Sequence, residues 1–202
     1  MRLPLDSMQI RTADIEGKIN NPAIPPKGGR LNETISPLGG TFGKVRSSGQ
    51  QLHRGWDLYA DVGSPAYAIG EGTIVSCQLQ DQGQLGRYVV LKLNMKAPTG
   101  MLLASRVGSN SLSILYAHLG IVLVSEDDSV SEGAILATTS RSGNARHTPP
   151  HLHIQFSTTG TFKKNDFGSI DPVKVFGYEY YQCRVKPDFY PSHWDSFRNS
   201  IP

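Results

Sequence analysis

"HLHIQFS", residues 151–157, alternates polar and apolar side chains, and that alternation decides how the chain reads. In a strand, positions two apart share a face. His151, His153 and Gln155 then lie on one side, and Leu152, Ile154 and Phe156 on the other. The apolar set reads as a core face. The polar set reads as a face open to something else. On a helix the two histidines would point in nearly opposite directions, and the apolar residues between them argue against that. With His147, the stretch holds three of the chain's six histidines within seven positions.

Working outward, "TIVSCQL" (73–79), "RYVVLKL" (87–93), "LSILYAH" (112–118) and "AILATT" (134–139) are also rich in β-branched and aromatic residues, with Gly, Asn, Asp or Pro between them. Gly (21) and Pro (13) make up about a sixth of the 202 residues, which favours turns over long helices. No window of 12 residues shows helical periodicity. The expected fold is all-β, mainly antiparallel sheet, with few short helices. Residues 1–34, including "NNPAIPPKGG", read as an irregular arm, 35–176 as the domain, and 177–202 as an aromatic-rich extension that packs back on it. "NMKAPTGMLLASRVGSN" (94–110) reads as a long loop, and "SEDDSVSEG" (125–133) as a charged turn.

Charged residues make up 18% of the chain, and the net charge is +3. No Lys/Arg block and no nucleic-acid motif is present, so nucleic acid is not the expected partner; a mildly basic surface suits an anionic polymer such as a bacterial cell wall. No stretch approaches a membrane span, and "MRLPLDSMQIRTADIEGK" (1–18) lacks the apolar centre of a signal peptide. That leaves a cytosolic protein, a trimmed leader or another export route. Cys77 and Cys183 could pair in an oxidising compartment or be unrelated thiols; they are not spaced as a metal or redox pair.

Two further stretches carry potential ligands. "HRGWD" (53–57) places His53 and Asp57 four apart around Gly55, where the backbone can bend to let both converge. Zinc takes His nitrogen and carboxylate oxygen, and three protein ligands plus a water mark a catalytic site. His53, Asp57 and one of the later histidines would make three. The plainer reading is a turn-capping Asp57 and a surface His53. In "ILYAHLG" (114–120), His118 ends an apolar run; such a histidine is ordinarily a core-edge residue bonded to backbone. A two-His-one-carboxylate iron site fits less well, because its usual His-x-Asp pair is absent.

Taken in order, "HRGWD", "YAHL" and "HLHIQF" closely resemble the zinc metallopeptidases of the lysostaphin and LytM type, peptidase family M23. "GGTFGKVR" (39–46), "VGSPAYAIGEGTIV" (62–75), "SGNARHTPPHLHIQF" (142–156) and "SIDPVKVFG" (169–177) extend the likeness over about residues 35–176. The resemblance implies a narrow groove floored by antiparallel sheet, with zinc at its base held by His53, Asp57 and His153. It implies that His118 and His151 lie beside the metal as catalytic groups, moving a proton and steadying an oxyanion. A hydrogen-bond partner for each histidine is expected. The implied substrate is the stem-peptide cross-link of peptidoglycan, cut as a D,D-endopeptidase at the cell wall or in the periplasm. An antibacterial effector, delivered by a type VI-like route and restrained by an immunity protein in the groove, is the expected setting; a catalytically inactive peptidoglycan-binding or amidase-activating domain is the alternative. Arg146 and His147 depart from the small residues usual in that loop and are expected near the groove, His147 as a loop residue or substrate contact. His193 lies beyond the resemblance.

Overall fold

The computed structural model of the chain describes residues 1–6, 13–15, 18–19, 40–46, 51–162 and 168–176. Two small antiparallel ribbons come first: β1 (Ala13–Ile15) with β2 (Lys18–Ile19), and β3 (Gly43–Arg46) with β4 (Gln51–His53). The remaining strands form one antiparallel sheet: β5 (Gly55–Tyr59), β6 (Pro65–Tyr67), β7 (Gly72–Gln78), β8 (Arg87–Leu93), β9 (Ser113–Val122), β10 (Ser129–Val130), β11 (Ile135–Thr139), β12 (His151–Ser157) and β13 (Ser169–Ile170). The runs at 87–93 and 151–157 begin and end where the sequence reading put them, because Gly, Pro, Asn or Thr residues bound both.

The sheet branches at β9. One edge pairs with β8 from Ser113 to Leu119; the other pairs first with β12 and then with β11. β12 in turn lies between β9 and β5, with His153 opposite both Ala117 and Asp57. Register therefore sorts the side chains into two layers. Leu152, Ile154 and Phe156 join Trp56, Leu58, Ile114 and Tyr116 in the main core. The other face carries Asp57, His151, His153 and Gln155, and beside them on β8 and β9 a smaller apolar cluster of Val90, Leu115 and Ala117 flanked by Leu85, Tyr88 and Phe162. The polar face of β12 is thus buried rather than open: His151, His153 and Gln155 are 3%, 8% and 5% exposed.

Two helices cover the main core. α1 (Pro98–Val107) replaces the loop expected over 94–110. Pro98 starts it, and Gly108, left-handed at φ +68°, ends it by donating to Ala104 O. It buries only Thr99, Gly100 and Leu103 while Met101 and Leu102 stay exposed, so it lacks the broad apolar stripe that reveals a helix in sequence. α2 (Pro172–Phe176) begins after Asp171, whose Oδ1 accepts from Val173 N at 3.0 Å. Phe176 stacks on Trp56 at 5.4 Å and meets Phe156 edge-on at 5.6 Å. Arg106 of α1 donates to Val175 O at 2.6 Å, tying the two helices together. Both lie on the face opposite the histidines, against the main core.

Of the expected arm, the first residues join the domain. Leu5 is 2% exposed within the main core, and Tyr67 N donates to Pro4 O at 2.9 Å. Among the described residues Cys77 forms no disulfide, while Cys183, His193 and the extension from 177 fall outside them. Among the described residues, no helix is long and apolar enough to cross a membrane.

Candidate metal centre and active site

All five residues singled out in the sequence meet on the histidine face. His53 arrives from the end of β4, and its Nδ1–H donates to Thr41 O at 2.7 Å, which leaves the Nε2 lone pair facing inward. Asp57, on β5, is 1% exposed, and its backbone N–H is held by Gly40 O at 2.8 Å. His153 stands opposite it on β12. The two strands meet closely because residue 55 is glycine: a Cβ there would lie 2.2 Å from Ile154 O and 3.0 Å from His153 Cε1.

Three donor atoms converge. His53 Nε2 lies 3.1 Å from His153 Nδ1 and 3.2 Å from Asp57 Oδ1, and His153 Nδ1 lies 2.8 Å from Asp57 Oδ1. The edge of a zinc tetrahedron with ligands at 2.0–2.1 Å is about 3.3 Å. The observed triangle is close to one face of that figure, and the fourth corner is left for water or substrate. A carboxylate buried this deeply is costly without a cation, and zinc would supply one. Among the described residues this is the sole cluster of His, Cys, Asp or Glu that could hold a metal ion.

His118 and His151 stand beside the triangle. Their rings are 5.0 Å apart, and that of His118 is 5.9 Å from His153. Each Nδ1 faces a backbone carbonyl: His118 meets Ser142 O at 2.9 Å, and His151 meets Pro149 O at 2.7 Å. A carbonyl only accepts, so each Nδ1 carries the hydrogen and each Nε2 is the basic atom. His151 Nε2 lies 3.9 Å from Asp57 Oδ2. His118 sits in the left-handed region at φ +61°. Ala117 pairs with Tyr88 and Leu119 with Arg87, so His118 is the extra residue of a bulge. The bulge falls where the other edge of β9 passes from β12 to β11.

The partners of the histidines were invisible in the sequence because they are main-chain carbonyls of Thr41, Ser142 and Pro149, which any residue type could supply. Gln155 was placed on the correct face; its Oε1 is 3.5 Å from His153 Nε2. Arg146 points to Asp81, with Nη2 3.5 Å from Oδ2, and His147 is exposed.

The family model "Peptidase family M23" matches residues 51–165, more than half of the chain and every residue of the cluster. The chain belongs to peptidase family M23. Members are zinc metallopeptidases, in keeping with the His-Asp-His donor set. The M23 chain is 31% identical over 113 residues to the peptidoglycan DD-endopeptidase ShyC of Vibrio cholerae, covering 56% of this chain and 22% of that protein. It is 28% identical over 108 residues to ShyA of the same organism, also a peptidoglycan DD-endopeptidase, covering 54% and 21%. It therefore spans about a fifth of the length of these curated relatives. The antimicrobial peptidase lysostaphin of Staphylococcus simulans shares the fold, with a TM-score of 0.51 at 23% identity over 74% of this chain and 54% of that one.

Proposed function

We propose that the chain is a zinc-dependent endopeptidase that cuts the peptide cross-links of peptidoglycan, with D,D-endopeptidase specificity. The observation that carries this reading is the triangle of His53 Nε2, Asp57 Oδ1 and His153 Nδ1 with the two basic Nε2 atoms of His118 and His151 beside it. The D,D preference is supported by ShyC and ShyA, both D,D-endopeptidases of peptidoglycan. Action on that polymer lies outside the cytoplasm.

His53, Asp57 and His153 hold the metal, which when bound supplies Lewis acidity to a water and to the scissile carbonyl. The chain's own residues do the rest. His118 and His151 keep Nδ1–H on the main chain, so each offers Nε2 to the reacting atoms. One accepts the proton of the attacking water at Nε2 and returns it to the leaving amine. The other, protonated at Nε2, donates to the oxygen on which negative charge grows. The apolar cluster of Val90, Leu115 and Ala117 limits water on that side of the site.

The test is a digest of purified cross-linked peptidoglycan resolved by mass spectrometry, with wild type, wild type plus chelator, and His118→Ala, alongside zinc content. Dimeric muropeptides should fall to monomers with zinc-loaded wild type alone, and the product masses name the bond. Stoichiometric zinc without any cleavage would overturn the substrate class. Neither zinc nor cleavage would leave a peptidoglycan-binding domain.

A further inference from the structure

We propose that Asp81 is a positioning residue for His118, acting through the single peptide unit that joins Ser142 to Gly143. This rests on the role given to His118 above. Asp81 lies in the turn between β7 and β8, far in sequence from every motif of the site. Its Oδ1 accepts from Gly143 N at 2.7 Å. The carbonyl of that same peptide unit, Ser142 O, accepts from His118 Nδ1 at 2.9 Å.

A peptide unit is planar, with N–H and C=O pointing in opposite directions. A carboxylate on its N–H therefore fixes the direction of its C=O. It also polarises the unit, which makes the oxygen a stronger acceptor. The negative charge of Asp81 is thus felt at His118 without contact between the two side chains. The Gly143 N–H holds the Asp81 carboxyl below the usual carboxylate range, so the charge is present at neutral pH.

The surroundings leave this unit little freedom. Ser142 Oγ accepts from Arg87 N, and Asn144 N donates to Gln84 O, both at 3.0 Å. His118 N donates to Leu85 O at 3.0 Å, so one turn grips both the backbone of His118 and the carbonyl its ring uses. The two segments touch through glycines: a Cβ on Gly86, at φ +63°, would lie 2.3 Å from Gly143 N. Arg146 approaches Asp81 from outside and is 58% exposed, so its ion pair adds little.

The experiment compares the zinc-loaded wild-type chain of 202 residues with Asp81→Ala, Asp81→Asn and Arg146→Ala. A soluble cross-linked muropeptide dimer serves as substrate, and the ring nitrogens of His118 are followed by NMR. In Asp81→Ala, kcat should fall about ten-fold while zinc content holds and KM stays within about two-fold, in line with the usual effect of losing an outer partner. The His118 ring should shift from a uniform Nδ1–H form to a mixture of tautomers. Asp81→Asn retains an accepting oxygen and should restore much of kcat; Arg146→Ala should match wild type. Unchanged kcat with an unchanged ring in Asp81→Ala would overturn the proposal. So would free solvent exchange of the Gly143 amide in wild type, a measurement that needs no variant to fold. If wild type leaves the dimer uncut, the hydrolase reading fails, and the ring and amide signals alone decide the role of Asp81.

Discussion

At the scale of single residues, the site is built on two unusual backbone positions, one strained and one crowded. His118 occupies a conformation that L-residues avoid, at φ +61°. Holding it there costs about 1–2 kcal/mol. His118→Gly and His118→Ala should both abolish cleavage, yet the glycine variant should be the more stable of the two by about 1 kcal/mol in urea unfolding. Equal stability would mean that the bulge carries no strain. Gly55 resists substitution for lack of space. Gly55→Ala drives a methyl against Ile154 O and His153 Cε1 and must part β5 from β12. The Asp57–His153 contact opens with it. Zinc affinity should drop at least ten-fold in a competition titration against a chromogenic chelator, the scale usual for disturbed metal ligands.

At the scale of elements, α2 depends on its first turn. Burial raises the pKa of Asp171, opposed by the N–H it accepts from Val173. With the folded-state pKa above that of the unfolded chain, the folded chain holds its proton more tightly, and stability declines as pH rises through the carboxylate range. Above that range the full cost is present. Asp171→Asn keeps an oxygen for Val173 N and removes the charge. At pH 7 it should be at least as stable as wild type, an advantage that disappears once the pH is taken below about 3.9. Asp171→Ala loses the cap as well as the charge, so it should cost about 1 kcal/mol below about pH 3.9 and less than that at pH 7. Urea midpoints at the two pH values read both variants. β7, β8, β9, β11 and β12 were legible because their β-rich runs are set locally, whereas β4, β5 and β10, with two to five residues each, lie in stretches read as a bend and a charged turn. α1 was not legible, because most of its burial comes from Thr99, Gly100 and Leu103 alone.

At the scale of the whole molecule, the metal should link the β3–β4 ribbon to the large sheet. His53 comes from the β3–β4 ribbon, while Asp57 and His153 come from the large sheet. Zinc binding to the folded chain should stabilise it by about 2.7 kcal/mol at a hundred-fold excess over Kd. A chelator should lower Tm accordingly in calorimetry; an unchanged Tm would mean that the triangle holds no metal. The sequence by itself determined which residue types could serve: the alternation of 151–157 with the strand that carries it, and the His-x3-Asp spacing at 53–57, since these depend on neighbours along the chain. Only the tertiary structure decided that His53 Nε2 comes within 3.1 Å of a histidine a hundred residues away, that His118 turns on a bulge, and that Asp81 holds the far end of its peptide link. Register between strands and the direction of main-chain carbonyls arise from packing across the sheet, and no local run of side chains encodes them.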